Sequence, residues 1–190
     1  MNFQRTSPAN GPRILCIGMP VRDMVFRVND LPARGMKTRA THFNELSGGN
    51  ALNAGVAIAR LGGRVLMSGP MGDAGEKASA YIFDDLAKEG IDGSGIVRMP
   101  GLVTPISNIM IDPSGERTIV TYRDPALWKV KLPDTDTLLD GCDALLTENL
   151  SGIMQLFDQI LKNSLMSGCC NIEVTDERDT TEPEHAGSFT

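Results

Sequence analysis

The sequence predicts an α/β fold, a mostly parallel sheet flanked by helices with a small antiparallel β lid. Three observations carry the prediction. Short continuous apolar runs, Ile14-Leu15-Cys16-Ile17, Val65-Leu66-Met67 and Ala144-Leu145-Leu146-Thr147, read as strands buried on both faces. Segments with helical spacing of apolar residues alternate with them, which favours a parallel sheet covered by helices. Asp112-Pro113-Ser114-Gly115 separates two extended runs, with proline second and glycine fourth. That is type I turn chemistry, so an antiparallel hairpin interrupts the alternation.

Each element follows in order. Ile14 to Ile17 forms the first strand and stops at Gly18. Val25 to Val28 is a shorter extended stretch, broken by Leu31-Pro32. Lys37 to Phe43 reads as a strand with one polar side. Ser47-Gly48-Gly49-Asn50 reads as a turn with a capping residue before a helix from Ala51 to Leu61. Leu52, Val56 and Ala59 share one face of that helix, and Gly62-Gly63 closes it. Val65 to Met67 is the next strand, and Gly69-Pro70 and Gly72-Asp73-Ala74-Gly75 read as loop. Glu76 to Glu89 is the second helix, with Ala78, Ile82 and Leu86 four residues apart and Gly90 as its stop. Ile106–Ile111 and Thr118–Tyr122 form the hairpin. After the strand at Ala144, the stripe Ile153, Leu156, Phe157, Ile160 and Leu161 predicts another helix, and Asn171 to Val174 reads as a last strand.

The chain has 190 residues, 18 basic and 24 acidic, with a net charge of −6. Its length and apolar content suit one domain, or one large and one small unit, with a core of its own. The acidic balance argues against a nucleic-acid partner, which requires a basic face. No apolar run reaches the roughly 20 residues of a membrane helix, so no membrane partner is expected. Residues 1–12 are polar and read as a disordered leader rather than a signal peptide, and a cytoplasmic location follows. Residues 13–168 read as the folded unit, with lid strands near 24–43 and 104–123, and residues 169–190 as a weakly ordered tail. Cys16, Cys142 and the adjacent Cys169 and Cys170 form no C-x-x-C, and His42 and His185 are the only histidines. Neither a zinc site nor a Cys/His or Ser/His/Asp set is expected from that supply, so no metal site is assigned.

Ligands of open α/β sheets bind beyond the carboxyl ends of the strands. Asp23, Gly48, Gly49, Asn53 and Glu148 all fall at that edge. A carboxylate accepts hydrogen bonds from two neighbouring hydroxyls, and a carboxamide both donates and accepts as a hydroxyl does. Two glycines let a small ligand approach the backbone. The set suits a polyhydroxylated ligand, although each member alone also reads as a cap, a turn or a surface carboxylate. Two nucleotide motifs fail. Gly72-Asp73-Ala74-Gly75-Glu76-Lys77 lacks Walker A spacing. Gly18-Met19-Pro20-Val21 replaces the G-x-G-x-x-G that a dinucleotide site needs after the first strand.

The stretch Gly48-Gly49-Asn50-Ala51-Leu52-Asn53-Ala54-Gly55, then Gly62, then Gly72-Asp73, resembles the N-terminal signature of the ribokinase (PfkB) family of carbohydrate kinases. Gly18 to Asp23 resembles the segment that supplies the family's sugar-binding aspartate. Asp112 to Arg117 resembles the lid hairpin, and Leu145-Leu146-Thr147-Glu148 the strand whose terminal acid lies near the sugar. The resemblance implies a ribokinase-like fold, ATP-dependent transfer of a phosphoryl group to a sugar hydroxyl, and magnesium to offset phosphate charge. It implies sugar contacts from Asp23, Gly48, Gly49, Asn53 and Glu148. Lys37, Arg39 and Arg123 lie in or near the lid. Solvated charge is their plain reading, and Lys37 is the first choice for contact with an anionic group of an acidic or phosphorylated sugar.

The family's second signature, D-T-x-G-A-G-D, is absent from these 190 residues, as are its N-x-x-E magnesium motif and adenine-binding region. The resemblance therefore covers an N-terminal half without the nucleotide half, and no catalytic residue is assigned. The chain alone is expected to be inactive and marginally stable. A non-catalytic sugar-binding or interaction module, and a nucleoside kinase of the same family, are the alternatives. Exposed lid edges would allow a homodimer.

Overall fold

The computed structural model describes residues 11–133, 135–148 and 171–175, with backbone alone for 135–136 and 171–175. Residues 1–10 of the expected leader 1–12, the stripe at 153–161 and residues 176–190 lie outside the described residues.

The strands are β1 (Arg13–Ile17), β2 (Val21–Val28), β3 (Ala40–Gly48), β4 (Arg64–Met71), β5 (Asp92–Arg98), β6 (Ile106–Ile111), β7 (Arg117–Tyr122), β8 (Ala144–Glu148) and β9 (Asn171–Thr175). The helices are α1 (Asn50–Arg60), α2 (Lys77–Glu89) and the short α3 (Thr135–Leu139), with a 3-10 turn at Pro125–Lys129. β5-β4-β1-β8-β9 form one sheet in which every neighbour is parallel. β3-β2-β6-β7 form a second sheet. This lid is mixed rather than purely antiparallel: the hairpins β2–β3 and β6–β7 are antiparallel, but β2 and β6 pair in parallel.

β1 shows why apolar runs without alternation mark the parallel sheet. Cys16 packs under α1 and α2 with Val65, Met67, Leu52, Ile82 and Leu86. Leu15 and Ile17 point to the opposite face, against Leu66, Leu132, Leu138, Cys142 and Leu145. Successive side chains go to opposite faces, and both faces are covered.

Several boundaries differ from the sequence expectation. β2 begins at Val21 rather than Val25, and β3 spans 40–48 rather than 37–43, so Ser47 and Gly48 close a strand. These strands carry charged residues on both faces, which hides their alternation. Gly69-Pro70 lies inside β4, not in a loop. Proline is tolerated there because β1 pairs only with Arg64–Ser68; beyond Ser68, β4 has a neighbour on one side alone among the described residues. β5 had no expected counterpart, since Asp92-Gly93-Ser94-Gly95 offers few apolar residues to a pattern reading. β9 forms the expected last strand, inside the segment assigned to a loose tail.

Candidate functional site

The site is built at the start of α1, where the parallel sheet meets the lid. Gly49 is the N-cap of α1 and supplies no side-chain cap. Its φ of 99° is a left-handed conformation that favours glycine. The first N–H groups of a helix have no partner within the helix. Here a carboxylate from a distant strand takes them. Glu148, at the end of β8, accepts from the Ala51 N–H through Oε1 at 2.7 Å and from the Met19 N–H through Oε2 at 3.3 Å. The Asn50 N–H also bonds to it. Burial pushes the Glu148 carboxyl above its ordinary range, and these three N–H groups and the Arg123 charge pull it back.

Asp23 projects from β2 on the face that carries Leu46 of β3, Ser107 of β6 and Thr121 of β7, its row partners across the lid. A side chain at Gly48 would overlap the Asp23 carboxylate, so the absence of a Cβ at 48 lets Asp23 lie over the β3–α1 junction. Burial pushes the Asp23 carboxyl up; the hydrogen bond from the Ser107 side chain and the Arg123 charge oppose that shift. Arg123 Nη1 donates to Thr121 Oγ1 at 2.7 Å.

The structure thus gathers Asp23, Gly48, Gly49 and Glu148 around the first turn of α1. Asn53 stands in the next turn, its N–H donating to the Gly49 carbonyl at 2.8 Å and its side chain exposed. It lines a groove of about 350 Å³ with Leu46, Ser47, Val56, Arg60 and Asp85. Leu46 connects the two parts, as row partner of Asp23 and a wall of the Asn53 groove. Lys37 stands apart, exposed in the connection between β2 and β3. That connection joins Val28 to Ala40, at the opposite end of β2 from Asp23, about 16 Å of strand away. The cation whose charge reaches Asp23 and Glu148 is Arg123, which ranked behind Lys37 in the sequence reading because hairpin length and twist set its position. Ser107 has no signal in the sequence, since a serine in a strand carries none until its neighbour is known.

Such a site can accept hydroxyl hydrogen bonds at Asp23 and admit a small ligand to the glycine backbone. Among the described residues no group of three or more His, Cys, Asp or Glu side chains is gathered as a metal ion would need. No helix among them is long and apolar enough to cross a membrane.

Comparison with known proteins agrees with this architecture. Residues 12–165 match the model of the pfkB family carbohydrate kinases. Fructokinase-1 of Oryza sativa subsp. japonica is 33% identical over 87 residues, 46% of this chain and 26% of its own length. Ketohexokinase of Mus musculus is 29% identical over 111 residues, 58% of this chain and 37% of its own. A solved structure from Agrobacterium tumefaciens, designated a ribokinase, superposes with a TM-score of 0.76 at 32% identity. It covers 84% of this chain and 51% of that one. A fructokinase with bound ATP from Xylella fastidiosa shares the fold, with a TM-score of 0.68 at 24% identity over 91% of this chain and 56% of its own. The chain spans about a quarter to a third of the curated relatives it matches and about half of the solved structures. With its signature at the start of α1 and its lid above, the chain belongs to the pfkB family of carbohydrate kinases.

Proposed function

We propose that these residues form the sugar-binding part of a carbohydrate kinase that transfers a phosphoryl group from ATP to a sugar hydroxyl. The observation that carries this reading is the convergence of Asp23, Gly48 and Gly49 at the start of α1, under the same lid row. Asp23 accepts hydrogen bonds from two sugar hydroxyls, and Asn53 reaches a third from the side. The Gly48-Gly49 backbone lies close against the ring, and Glu148 lies beneath it. Ionised, Asp23 is acceptor-only, and a ligand lacking the hydroxyl leaves acceptor positions of this half-buried carboxylate unsatisfied, which disfavours deoxy analogues. Leu46 and Ile119, on the Asp23 face of the lid, offer apolar surface to ring carbons.

ATP and magnesium belong to the proposed activity of a whole kinase. The described residues hold no acidic cluster for the ion, and no D-T-x-G-A-G-D turn stands in the sequence. No transfer step is assigned to this chain's residues, and the 190-residue chain is expected to bind sugar without turning over ATP. The lid edges β3 and β7 are the proposed surface for a homodimer.

Calorimetric titration and thermal shift with fructose, ribose and adenosine, each with and without Mg-ATP, test the proposal. Stabilisation by a ketohexose or pentose, lost on Asp23→Ala, is expected. A larger shift with adenosine favours a nucleoside, and no response to any of the three sinks the carbohydrate reading. ATP turnover that depends on sugar overturns the expectation of inactivity.

A further inference from the structure

Beside the sugar contact expected of it, the Glu148 carboxylate holds backbone N–H groups of the protein itself. Its residue is 8% exposed, and its oxygens take N–H groups from two separate segments: Met19 in the β1–β2 connection, and Asn50 with Ala51 in the first turn of α1. Met19 lies 129 residues from Glu148 in sequence and Ala51 lies 97. The surroundings are shaped for that carboxylate. A Cβ at Gly18 would sit 2.6 Å from Glu148 Cδ and 2.6 Å from the Ala51 Cβ, closer than carbon atoms approach. α1 has no side-chain cap of its own and no acidic residue in its first turn, so Glu148 supplies both the acceptor and the negative charge.

We propose that Glu148 is a positioning residue: it latches the start of α1 to the β1–β2 connection and thereby fixes the Gly48-Gly49 backbone against Asp23. The two latched segments are the ones that carry the proposed ligand contacts. Met19 is followed two residues later by β2, which bears Asp23, and Asn50 directly follows Gly49. Cutting the latch lets β2 and the start of α1 drift apart, and the distance between Asp23 and the glycine backbone is then no longer set. The ligand effect rests on the carbohydrate reading; the latch does not.

Among the described residues, few charged or titratable groups face Glu148. Arg123, after β7, carries a charge that reaches both Glu148 and Asp23. On β1, Cys16 has its thiol pushed up to about 12 and stays neutral. Residues 18–21 and 49–52 contribute no ionisable side chain.

Two variants separate holding from touching. Glu148→Gln removes the charge and turns an N–H donor toward the amides. Asn50→Pro removes one latch donor and leaves Glu148 intact. It places proline at the first helical position, where proline is favoured, after a Gly49 whose ψ of 141° accommodates a following proline. The free 190-residue chain is followed by amide NMR from pH 3.5 to 7.5, and fructose and ribose affinities are measured by calorimetry.

In the wild type, the Met19, Asn50 and Ala51 amide shifts are expected to titrate together, and Glu148→Gln is expected to abolish that titration. Both variants are expected to weaken sugar binding, by about tenfold for Glu148→Gln. Amides that do not titrate with Glu148 overturn the latch. An Asn50→Pro affinity equal to wild type, beside a weakened Glu148→Gln, overturns positioning in favour of direct contact. If neither sugar binds the wild type while the amides titrate, the carbohydrate reading falls and the latch stands.

Discussion

The carboxylate of Asp23 occupies the volume that a side chain at Gly48 would fill. The two residues lie on neighbouring strands, and the fit joins the lid to the start of α1. Gly48→Ala forces Asp23 aside. Because the obstructing atoms are the far end of a side chain that can turn, the stability loss is expected to stay near about 1 kcal/mol, the low end for overpacking. The sugar affinity is expected to fall as far as it does for Asp23→Ala. Chemical denaturation and calorimetry on the two single variants and the double variant check this; additive affinity losses would refute the shared role.

The folded carboxyl of Glu148 stands above its ordinary 4.5, and that of Asp23 above 3.8. The folded chain therefore holds these protons more tightly than the unfolded chain. The corresponding stability is complete below the unfolded values and is lost as pH rises through the raised ones. Asp73 and Asp112 are shifted down, so their stability is present above 3.8 and is lost only as pH falls through their lowered values. Urea unfolding from pH 4.5 upward toward neutral is expected to show a shallower decline for Glu148→Gln than for the wild type. Equal slopes would show that Glu148 titrates alike in both states.

Burial first, and the charge of Cys142 across the sheet second, push the Cys16 thiol up to about 12. At pH 8 such a thiol is ionised in about one molecule in ten thousand, and the thiolate is the reactive form. Cys16 is expected to resist iodoacetamide in the native chain and to react only after unfolding, and peptide mapping by mass spectrometry reads this residue by residue. Alkylation of Cys16 under native conditions would mean that β1 opens readily.

Arg22 and Glu45 form a two-pronged pair, Nε to Oε1 at 2.7 Å and Nη2 to Oε2 at 3.0 Å, across β2 and β3. The pair is partly screened by solvent, at 30% and 27% side-chain exposure. A double-mutant cycle with Arg22→Ala and Glu45→Ala is expected to give a coupling of about 0.5–1 kcal/mol. A coupling near zero would mean that the pair forms without stabilising the lid.

The parallel sheet was the most legible part of the sequence. Residues buried on both faces, such as Leu15 and Cys16, leave an unbroken apolar run that loop sequences do not imitate. The lid was harder, because Arg22, Asp23 and Glu45 place charge on both faces and mask a period of two. Within the site, Asp23 and the glycine pair could be named from residue type and place in the fold. The partners of Glu148 could not, because a side chain reaching backbone N–H groups more than ninety residues away leaves no local pattern. Arg123 and Ser107 depended on strand register, which emerges only once β2 has chosen β6 as its neighbour.

The joins between the lid and the rest of the molecule cluster at one end of it. β2 enters just after Met19, β3 leaves into Gly49, β6 enters after Pro105 and β7 leaves toward Arg123. A rigid tilt of this sheet must swing about that end, as a door swings about its hinge side. Asp23 and Gly48 sit beside the pivot and barely travel, while the tip bearing Lys37 sweeps the widest arc. Access to the pocket can therefore change without dismantling its floor.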